Sequence, residues 1–182
     1  DDEPLWLLKE PTQARALAAL IAARRPDFVK VWFVHRQGDD LEAQTALVRA
    51  AIDGIHAMKL RAAVHATTLE TARRAVEAGA DILVHGVADR DVDEAFVAAV
   101  VKRRVIYVPT LIVTKNYRDL RMRQMRIEPF ETECAPPDTI ASFEALGALA
   151  DDVLRRPAAP LPDPLPVQQR NLKTLAAAGA LV

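Results

Sequence analysis

Three side chains that could hold a metal ion lie within or at the ends of strand-like segments. Lys30 lies inside FVKVWFV, His65 lies near the end of RAAVHA, and His85 lies near the end of DILVHG. In parallel α/β barrels the active site is built at the carboxyl ends of the strands. Two neutral imidazoles on neighbouring strands can share a divalent metal ion. The sequence therefore indicates a metal site here, although a histidine at a strand end is also a common hydrogen-bonded core residue.

Lys30 is the sharpest of these observations. An ammonium group inside an apolar strand costs several kcal/mol unless it is paired or neutralised. The alternative is a side chain that reaches past the strand end into solvent, and both interpretations remain open from the sequence.

Four other residues have weaker claims to a functional role. His35 follows the Lys30 strand and could contact a substrate, although a solvated loop position is favoured. His56 falls in a helical segment and is expected to be structural. Asp89 is favoured as a helix cap. Cys134 is the single cysteine, which excludes an internal disulfide and a cysteine-cluster metal site, and its proline-flanked loop offers no base for a nucleophile.

The elements that position these side chains alternate between helix-like and strand-like segments. Strands are predicted at 28–34, 61–66, 81–86 and 104–110, and helices at 12–25 (N-cap Thr12), 40–56 (N-cap Asp39 or Asp40), 69–79 (N-cap Thr67 or Thr68, stop at Gly79) and 91–103. Strands that are each followed by helical sequence predict βα units and a parallel sheet. The nearly continuous apolar character of FVKVWFV is typical of a strand buried on both faces.

A different pattern occupies residues 111–166, which we interpret as a helical, proline-rich, lid-like insertion. Helices are predicted at 113–127 and 138–156, followed by an extended connector, RRPAAPLPDPLPVQQ. The basic residues of the first helix could face an acidic substrate group, although a solvated surface is favoured; they are Lys115, Arg118, Arg121, Arg123 and Arg126. The final segment, ending AAAGALV, repeats the earlier order of helix, glycine and strand.

Composition excludes several classes of protein. The chain has 182 residues, 51% of them hydrophobic, and a net charge of −1. This length can bury a core, and the balanced charge argues against a nucleic-acid partner. No apolar run reaches the ~20 residues needed to span a bilayer, and DDEPLWLLKEP is not a signal peptide. We expect a soluble, cytoplasmic protein whose true start lies elsewhere, because residue 1 is not methionine.

The ordered segments DFVKVWF, LRAAVHA, ETARRAVEAGADILVHG and RRVIYVPTLIV resemble the amidohydrolase superfamily. They are most similar to the branch that contains imidazolonepropionase-like enzymes and metal-dependent Xaa-Pro dipeptidases. The resemblance covers roughly residues 20–113 and the AAAGALV end. It implies a (β/α)8 barrel, of which these strands would be the fourth to the seventh.

The resemblance also implies a metal centre. Lys30 matches the strand-four lysine, which in many members is carbamylated by CO2 and bridges two metal ions. His65 and His85 match the ligands on strands five and six. One or two divalent ions, typically zinc, would lower the pKa of bound water and polarise the scissile carbonyl. Carbamylation would turn the Lys30 cation into an anionic oxygen ligand.

Departures from the family pattern are equally informative. The sequence contains no HxH pair, which the family carries on its first strand. The strand-eight Asp, a ligand and general base, would be expected just after GALV, beyond Val182. A full barrel takes ~250 residues. Residues 1–182 are therefore expected to be a piece of the barrel that supplies one lysine and two histidines, has no assignable general base and is inactive alone.

Two functions follow as hypotheses. The first is part of a hydrolase that cleaves amide or other C–N bonds in a dipeptide or cyclic amide with metal-activated water. The alternative is a non-catalytic barrel half that binds the remainder of a barrel, a second chain or another copy of itself, because its open sheet would expose two edge strands. A phosphate-binding barrel is disfavoured, since none of the six glycines forms a glycine-rich turn before a helix.

Overall fold

Four short strands form one parallel sheet in the part of the chain that the structure describes. The computed structural model describes residues 5–154 and 162–182. The strands are β1 Phe28–Trp32, β2 Arg61–His65, β3 Ile82–Val84 and β4 Ile106–Val108, and they lie side by side in chain order. Each neighbouring pair is parallel. This confirms the predicted α/β class and corresponds to part of a TIM barrel.

Helices connect the strands, and further helices follow the last strand in the chain. In residues 5–154 and 162–182 the α-helices are α1 Ala14–Ala22, α2 Leu41–Ala57, α3 Leu69–Ala78, α4 Glu94–Lys102, α5 Leu111–Arg121, α6 Pro129–Cys134, α7 Pro137–Leu146 and α8 Leu165–Ala177. None of the helices within these ranges combines the length and the apolar character needed to cross a membrane.

Side-chain caps start three of the crossover helices. Asp40 accepts a hydrogen bond from the Ala43 backbone N–H at 3.0 Å, which confirms the second of the two predicted caps for α2. Thr68 caps α3 in the same way, by accepting a hydrogen bond from the Thr71 backbone N–H. Asp93 caps α4, so that helix begins three residues later than the predicted 91. Each cap satisfies a backbone donor that has no partner within its helix.

The predicted start of the first helix is wrong. Thr12 is not an N-cap but lies inside a 3-10 turn, Pro11–Gln13, that leads into α1. The Gln13 side chain accepts hydrogen bonds from the backbone N–H groups of Lys9 and Glu10 at 3.2 Å. The Gln13 side chain thus bonds to the backbone ahead of the turn, and α1 begins without a side-chain N-cap hydrogen bond.

Glycines end two helices in the same way. Gly79 follows α3 with φ +104°, and the Ala80 N–H bonds back to the Ala75 carbonyl at 3.0 Å. Gly179 follows α8 with φ +84°. Beyond it Leu181 forms a parallel bridge with Ile106 of β4. The predicted repeat of helix, glycine and strand is confirmed, since glycine adopts this left-handed backbone without steric cost.

The core lies between the sheet and its helices. Val29, Val64, Leu83 and Tyr107 point to the helical side and are buried. On the opposite face of β1, Phe28 is 50% and Trp32 65% exposed. The expectation that the first strand is buried on both faces is therefore wrong for the described chain, because helices cover one face only.

Two compact units divide the chain, one comprising residues 1–110 and 166–182 and the other residues 111–165. The second unit contains α5, α6 and α7. Its first helix ends at Arg121 instead of residue 127, and its last ends at Leu146. Cys134 is the last residue of α6, not part of a loop. A role of this unit as a lid stays a prediction.

The predicted connector is partly helical. Its residues 155–161 lie outside the described residues. Leu165 and Pro166, expected to be extended, instead begin α8. Residues 167–169, which the predicted connector shares with the final helical segment VQQRNLKTLAAAGALV, continue this helix. Pro166 is compatible with the first turn of α8 because the first N–H groups of a helix have no intrahelical acceptor.

Candidate metal centre

The sheet register places Lys30 and His65 on one face. Lys30 lies opposite Ala63, and Trp32 lies opposite His65, which in turn lies opposite Val84. Side chains alternate between the two faces of a strand. Lys30, His65 and Trp32 therefore share the face that the helices leave open, and the Trp32 and His65 rings lie 6.4 Å apart.

His85 reaches His65 through an unusual backbone conformation. It follows Val84, the last residue of β3, directly. Regular alternation would therefore direct the two side chains to different faces of the sheet, with His85 on the face away from His65. Its φ is +81°, in the left-handed region. The two imidazole centroids lie 4.5 Å apart in an edge-to-face arrangement. The turn at residue 85 therefore accompanies a contact between the two histidines that the strand pattern alone does not produce.

Thr110 is the partner of His85 that the sequence did not reveal. Its Oγ1 lies 2.8 Å from His85 Nδ1. Thr110 also has a positive φ, +42°, which is a genuine outlier for a β-branched residue. Such conformations cost roughly 1–3 kcal/mol each and cluster at functional sites. The one available sequence signal is that both residues come just after a strand: His85 directly after β3, and Thr110 two residues after β4.

Partial burial keeps both imidazoles neutral. Burial, followed by the nearby charges of His85 and Lys30, lowers the pKa of His65 to about 4. Burial and the charge of Lys30 also lower the pKa of His85. A neutral imidazole has the lone pair that a metal ion requires. At neutral pH both rings are therefore in the form able to act as ligands.

Lys30 is exposed, contrary to the expectation of a buried cation. It lies in the middle of β1, and the open face of the sheet gives its side chain access to solvent. Burial nevertheless lowers its pKa. Of the two interpretations of the sequence, the solvated lysine therefore describes the exposure of the side chain better than the buried cation. The side chain reaches solvent across the open face of the sheet and not past the end of the strand.

The donor set fits a metal ion only in part. In residues 5–154 and 162–182, no group of three or more His, Cys, Asp or Glu residues is placed to hold one. The His65 and His85 rings supply two nitrogen donors, and Lys30 could add an oxygen only after carbamylation. Zinc sites have four ligands, of which at least three come from protein in typical catalytic centres. The described residues therefore supply fewer donors than such a centre needs.

Buried polar side chains hold the loop that follows His85. The Tyr107 hydroxyl accepts from the Val87 N–H at 2.8 Å. Asn171 of α8 donates to the carbonyls of Val87 and Arg90 and accepts from the Val92 N–H. A missing hydrogen bond in such a buried position costs about 1–3 kcal/mol. These contacts therefore fix the backbone next to the candidate ligand.

Gly86 allows close packing at this point. The Gln168 side chain donates to the Gly86 carbonyl at 3.3 Å. A Cβ on Gly86 would lie 3.1 Å from Gln168 Nε2 and 3.1 Å from the Pro109 carbonyl oxygen. A larger residue would thus require small shifts of the Gln168 side chain and of the backbone at Pro109. Neither Gln168 nor Asn171 was identified by sequence reasoning, because they lie some 80 positions along the chain from this loop.

The remaining candidate residues make hydrogen bonds outside the contact between His65 and His85. His35 is exposed in the loop after β1, and its Nδ1 lies 3.0 Å from Oε1 of Gln44. Its contact with a substrate stays a prediction. His56 pairs with Asp81 at 2.8 Å, a structural arrangement, as favoured. Asp89 accepts from the Leu69 N–H at 2.8 Å, so it caps the neighbouring helix α3.

Structural contacts hold basic residues of the predicted first insertion helix, among them Lys115, Arg118 and Arg123. Lys115 and Arg118 both bind the buried carboxylate of Asp119, at 2.5 and 2.7 Å. Arg123 donates to the Gly147 and Leu149 carbonyls and to Asp151. These contacts support the interpretation that the charges organise their own unit, in preference to an acidic substrate.

Comparison with known proteins identifies solved structures with a similar fold. No protein-family model matches the chain, and a search of curated proteins found no match. Among solved structures, one assigned as a prolidase from Bifidobacterium longum is 18% identical over 98% of this chain, with a TM-score of 0.60. A Xaa-Pro dipeptidase with methionine bound in its active site is 17% identical over 95%, with a TM-score of 0.57. A prolidase complexed with N-methylphosphonate-L-proline is 20% identical over 95%, with a TM-score of 0.55.

The matched region is only part of each of these structures. The chain spans 39%, 37% and 36% of their respective lengths. Similarity at this level of identity establishes a shared fold. The chain thus has the fold of part of the prolidase and dipeptidase structures, and the resemblance to the specific branch of the superfamily rests on the sequence motifs.

Proposed function

We propose that this chain is part of a metal-dependent amidohydrolase that cleaves an amide or related C–N bond. The observation that carries the proposal is the contact between His65 and His85 at the carboxyl ends of adjacent strands, 4.5 Å apart, with the charge of Lys30 acting on both. Active sites of parallel barrels lie at this edge. The fold shared with prolidase and dipeptidase structures supports a hydrolase at the coarse level.

Each candidate ligand has a distinct task in this proposal. His65 and His85 would bind a divalent ion, with zinc the first choice, through neutral ring nitrogens. Lys30 would contribute an oxygen as a CO2-derived carbamate, which would replace an exposed cation by an anion. When bound, the ion supplies Lewis acidity that polarises a carbonyl and lowers the pKa of water. The general base would be an Asp outside these 182 residues.

The substrate class is part of the proposal for this chain. Small peptides and cyclic amides fit the resemblance stated above. His35 would lie on the substrate side of the site, because it follows β1 at the edge of the sheet where His65 ends β2 and His85 follows β3. The additional donors would come from the rest of a barrel or from a second chain, since the described residues supply only part of a site.

Metal binding tests the proposal directly. The full-length protein that contains this sequence should bind Zn²⁺ in a competition titration with a chromophoric chelator. His65→Ala and His85→Ala should each weaken binding by about 100-fold or more, because even changes next to a ligand cost 10–100-fold. Lys30→Ala should remove one metal equivalent and abolish hydrolysis of a dipeptide.

The matched control is His56→Gln, which changes a histidine paired with Asp81 away from the candidate ligands. It should leave Zn²⁺ affinity unchanged. Wild-type affinity in both the His65 and His85 variants would refute the site, and unaltered hydrolysis in all three ligand variants would refute the function.

A non-catalytic binding module is the second candidate. It is favoured by the exposed aromatic residues Phe28 and Trp32 on the open face of β1. In that case another polypeptide would cover this face, and loss of metal binding would not affect the association.

A further inference from the structure

We propose that Thr110 is a positioning residue for His85, and that its hydroxyl accepts a hydrogen bond from Nδ1–H, so that Nε2 is left unprotonated. The significance of a free Nε2 as a metal donor rests on the proposed function. The hydrogen bond and the tautomer do not, so the two ideas can fail independently.

The contact belongs to a rigid connection between two strand ends. Beside the 2.8 Å contact between His85 Nδ1 and Thr110 Oγ1, the His85 N–H donates to the Val108 carbonyl at 2.9 Å. The Gly86 N–H donates to the Pro109 carbonyl at 3.0 Å. Three hydrogen bonds thus tie residues 85–86 to residues 108–110, which leaves the His85 ring little freedom to turn away from Thr110.

The tautomer decides whether His85 can act as a ligand. A neutral imidazole carries one N–H, and the other nitrogen has a lone pair. If Nδ1 donates to the hydroxyl, Nε2 has the lone pair. If the hydroxyl donates to Nδ1, Nε2 carries the proton and cannot bind a metal ion. Histidine ligands generally donate their second ring N–H to a neighbouring acceptor, and this bond orients the ring.

The identity of residue 110 favours a role for the hydroxyl. A φ of +42° is disfavoured for threonine, whereas glycine would adopt it without strain. Threonine in this position therefore contributes a side chain at a conformational cost. The contact that the structure gives that side chain is the one to His85 Nδ1.

Three variants separate the hydroxyl from the backbone strain. Thr110→Ser keeps the hydroxyl, Thr110→Val keeps the shape without it, and Thr110→Gly removes both the hydroxyl and the strain. The tautomer of His85 is read from ¹⁵N chemical shifts in the metal-free full-length protein labelled at histidine, with His85→Gln used to assign the signal.

We expect the Nδ1–H tautomer in the wild type and in Thr110→Ser, and partial or complete loss of it in Thr110→Val and Thr110→Gly. Zn²⁺ affinity should fall 10–100-fold in the last two and stay near wild type in the serine variant. Thr110→Gly should also unfold at the same or a higher temperature than Thr110→Val, because glycine relieves the strain. A merely structural role would not move the tautomer.

Two results would overturn the proposal: an Nε2–H tautomer in the wild type, or an unchanged Nδ1–H tautomer in both Thr110→Val and Thr110→Gly. If the tautomer responds as expected but the wild type binds no Zn²⁺, the positioning role is supported and the proposed function is refuted.

Discussion

The buried phenol of Tyr107 helps to hold the backbone beside the candidate metal ligand. Tyr107 is fully buried in β4, and its hydroxyl accepts from the Val87 N–H two residues after His85. Burial raises the pKa of Tyr107, although the hydrogen bond from Val87 acts in the opposite direction. The native state therefore retains this proton to a higher pH than the unfolded chain, whose tyrosines titrate near ~10.

This residue makes the stability of the protein sensitive to alkaline pH. Between pH ~10 and the native pKa, the native state binds more protons than the unfolded state, so the free energy of unfolding falls as pH rises, by up to about 1.4 kcal/mol per pH unit. Tyr107→Phe should cost about 1–3 kcal/mol at pH 7, because the Val87 N–H loses its acceptor. The deficit should shrink above pH ~10, as measured by chemical denaturation at both pH values.

Tyr117→Phe is the control, since Tyr117 is 67% exposed. Its effect should stay within about 0.5 kcal/mol at neutral pH. A Tyr107→Phe deficit that is equally large at pH 7 and above pH ~10 would contradict the assignment.

At the scale of elements, the packing of α1 on α2 depends on a missing side chain. Gly54 lies within α2 and is buried. A Cβ at this position would lie 2.9 Å from the carbonyl oxygen of Ala14, at the start of α1. Glycine inside a helix is unfavourable by about 1 kcal/mol relative to alanine, so close helix contact compensates for a poor helix former.

Gly54→Ala should therefore destabilise the protein even though alanine favours helix. Overpacking costs about 1–3 kcal/mol, which exceeds the gain of about 1 kcal/mol in propensity. The free energy of unfolding from urea denaturation would show the loss. Asp53→Ala, at the exposed neighbouring position, should change it by no more than about 0.5 kcal/mol, and a stabilised Gly54→Ala would disprove the packing argument.

At the scale of the whole molecule, the sheet has one covered face and one open face. β1 and β4 are the outer strands among the described residues, and Leu181 begins to pair with β4. The free edge of β1 offers unpaired backbone groups next to the exposed side chains of Phe28 and Trp32. Such an edge favours association with another strand. We expect the rest of a barrel, a second chain or another copy to cover it.

The 182-residue chain by itself should therefore self-associate. Light scattering after size-exclusion chromatography should show species larger than a monomer, and Phe28→Lys should shift the population towards monomer, because charges on an edge strand oppose pairing. Leu20→Lys replaces an exposed leucine of α1 and should leave the distribution unchanged. A wild-type chain that is monomeric at all concentrations would contradict this expectation.

Local sequence patterns accounted for most of the elements. Asp40, Thr68 and Gly79 bound their helices through hydrogen bonds that span only a few residues, so their roles could be predicted from neighbouring positions. Boundaries were less accurate where no side-chain hydrogen bond caps the helix, as at the start of α1. The order of the strands followed from short crossovers, which place consecutive parallel strands side by side.

By itself the sequence determined the parallel βα units, the strand-end positions of His65 and His85, and the family resemblance. Only the tertiary structure decided that the two rings meet, because the left-handed turn at His85 is held by β4 and its Thr110 partner lies 25 positions away. It also decided that Lys30 is exposed, since the described core packs against the opposite face of the sheet. Backbone conformation and burial at this site depend on groups far apart along the chain, and local patterns carry no information about such contacts.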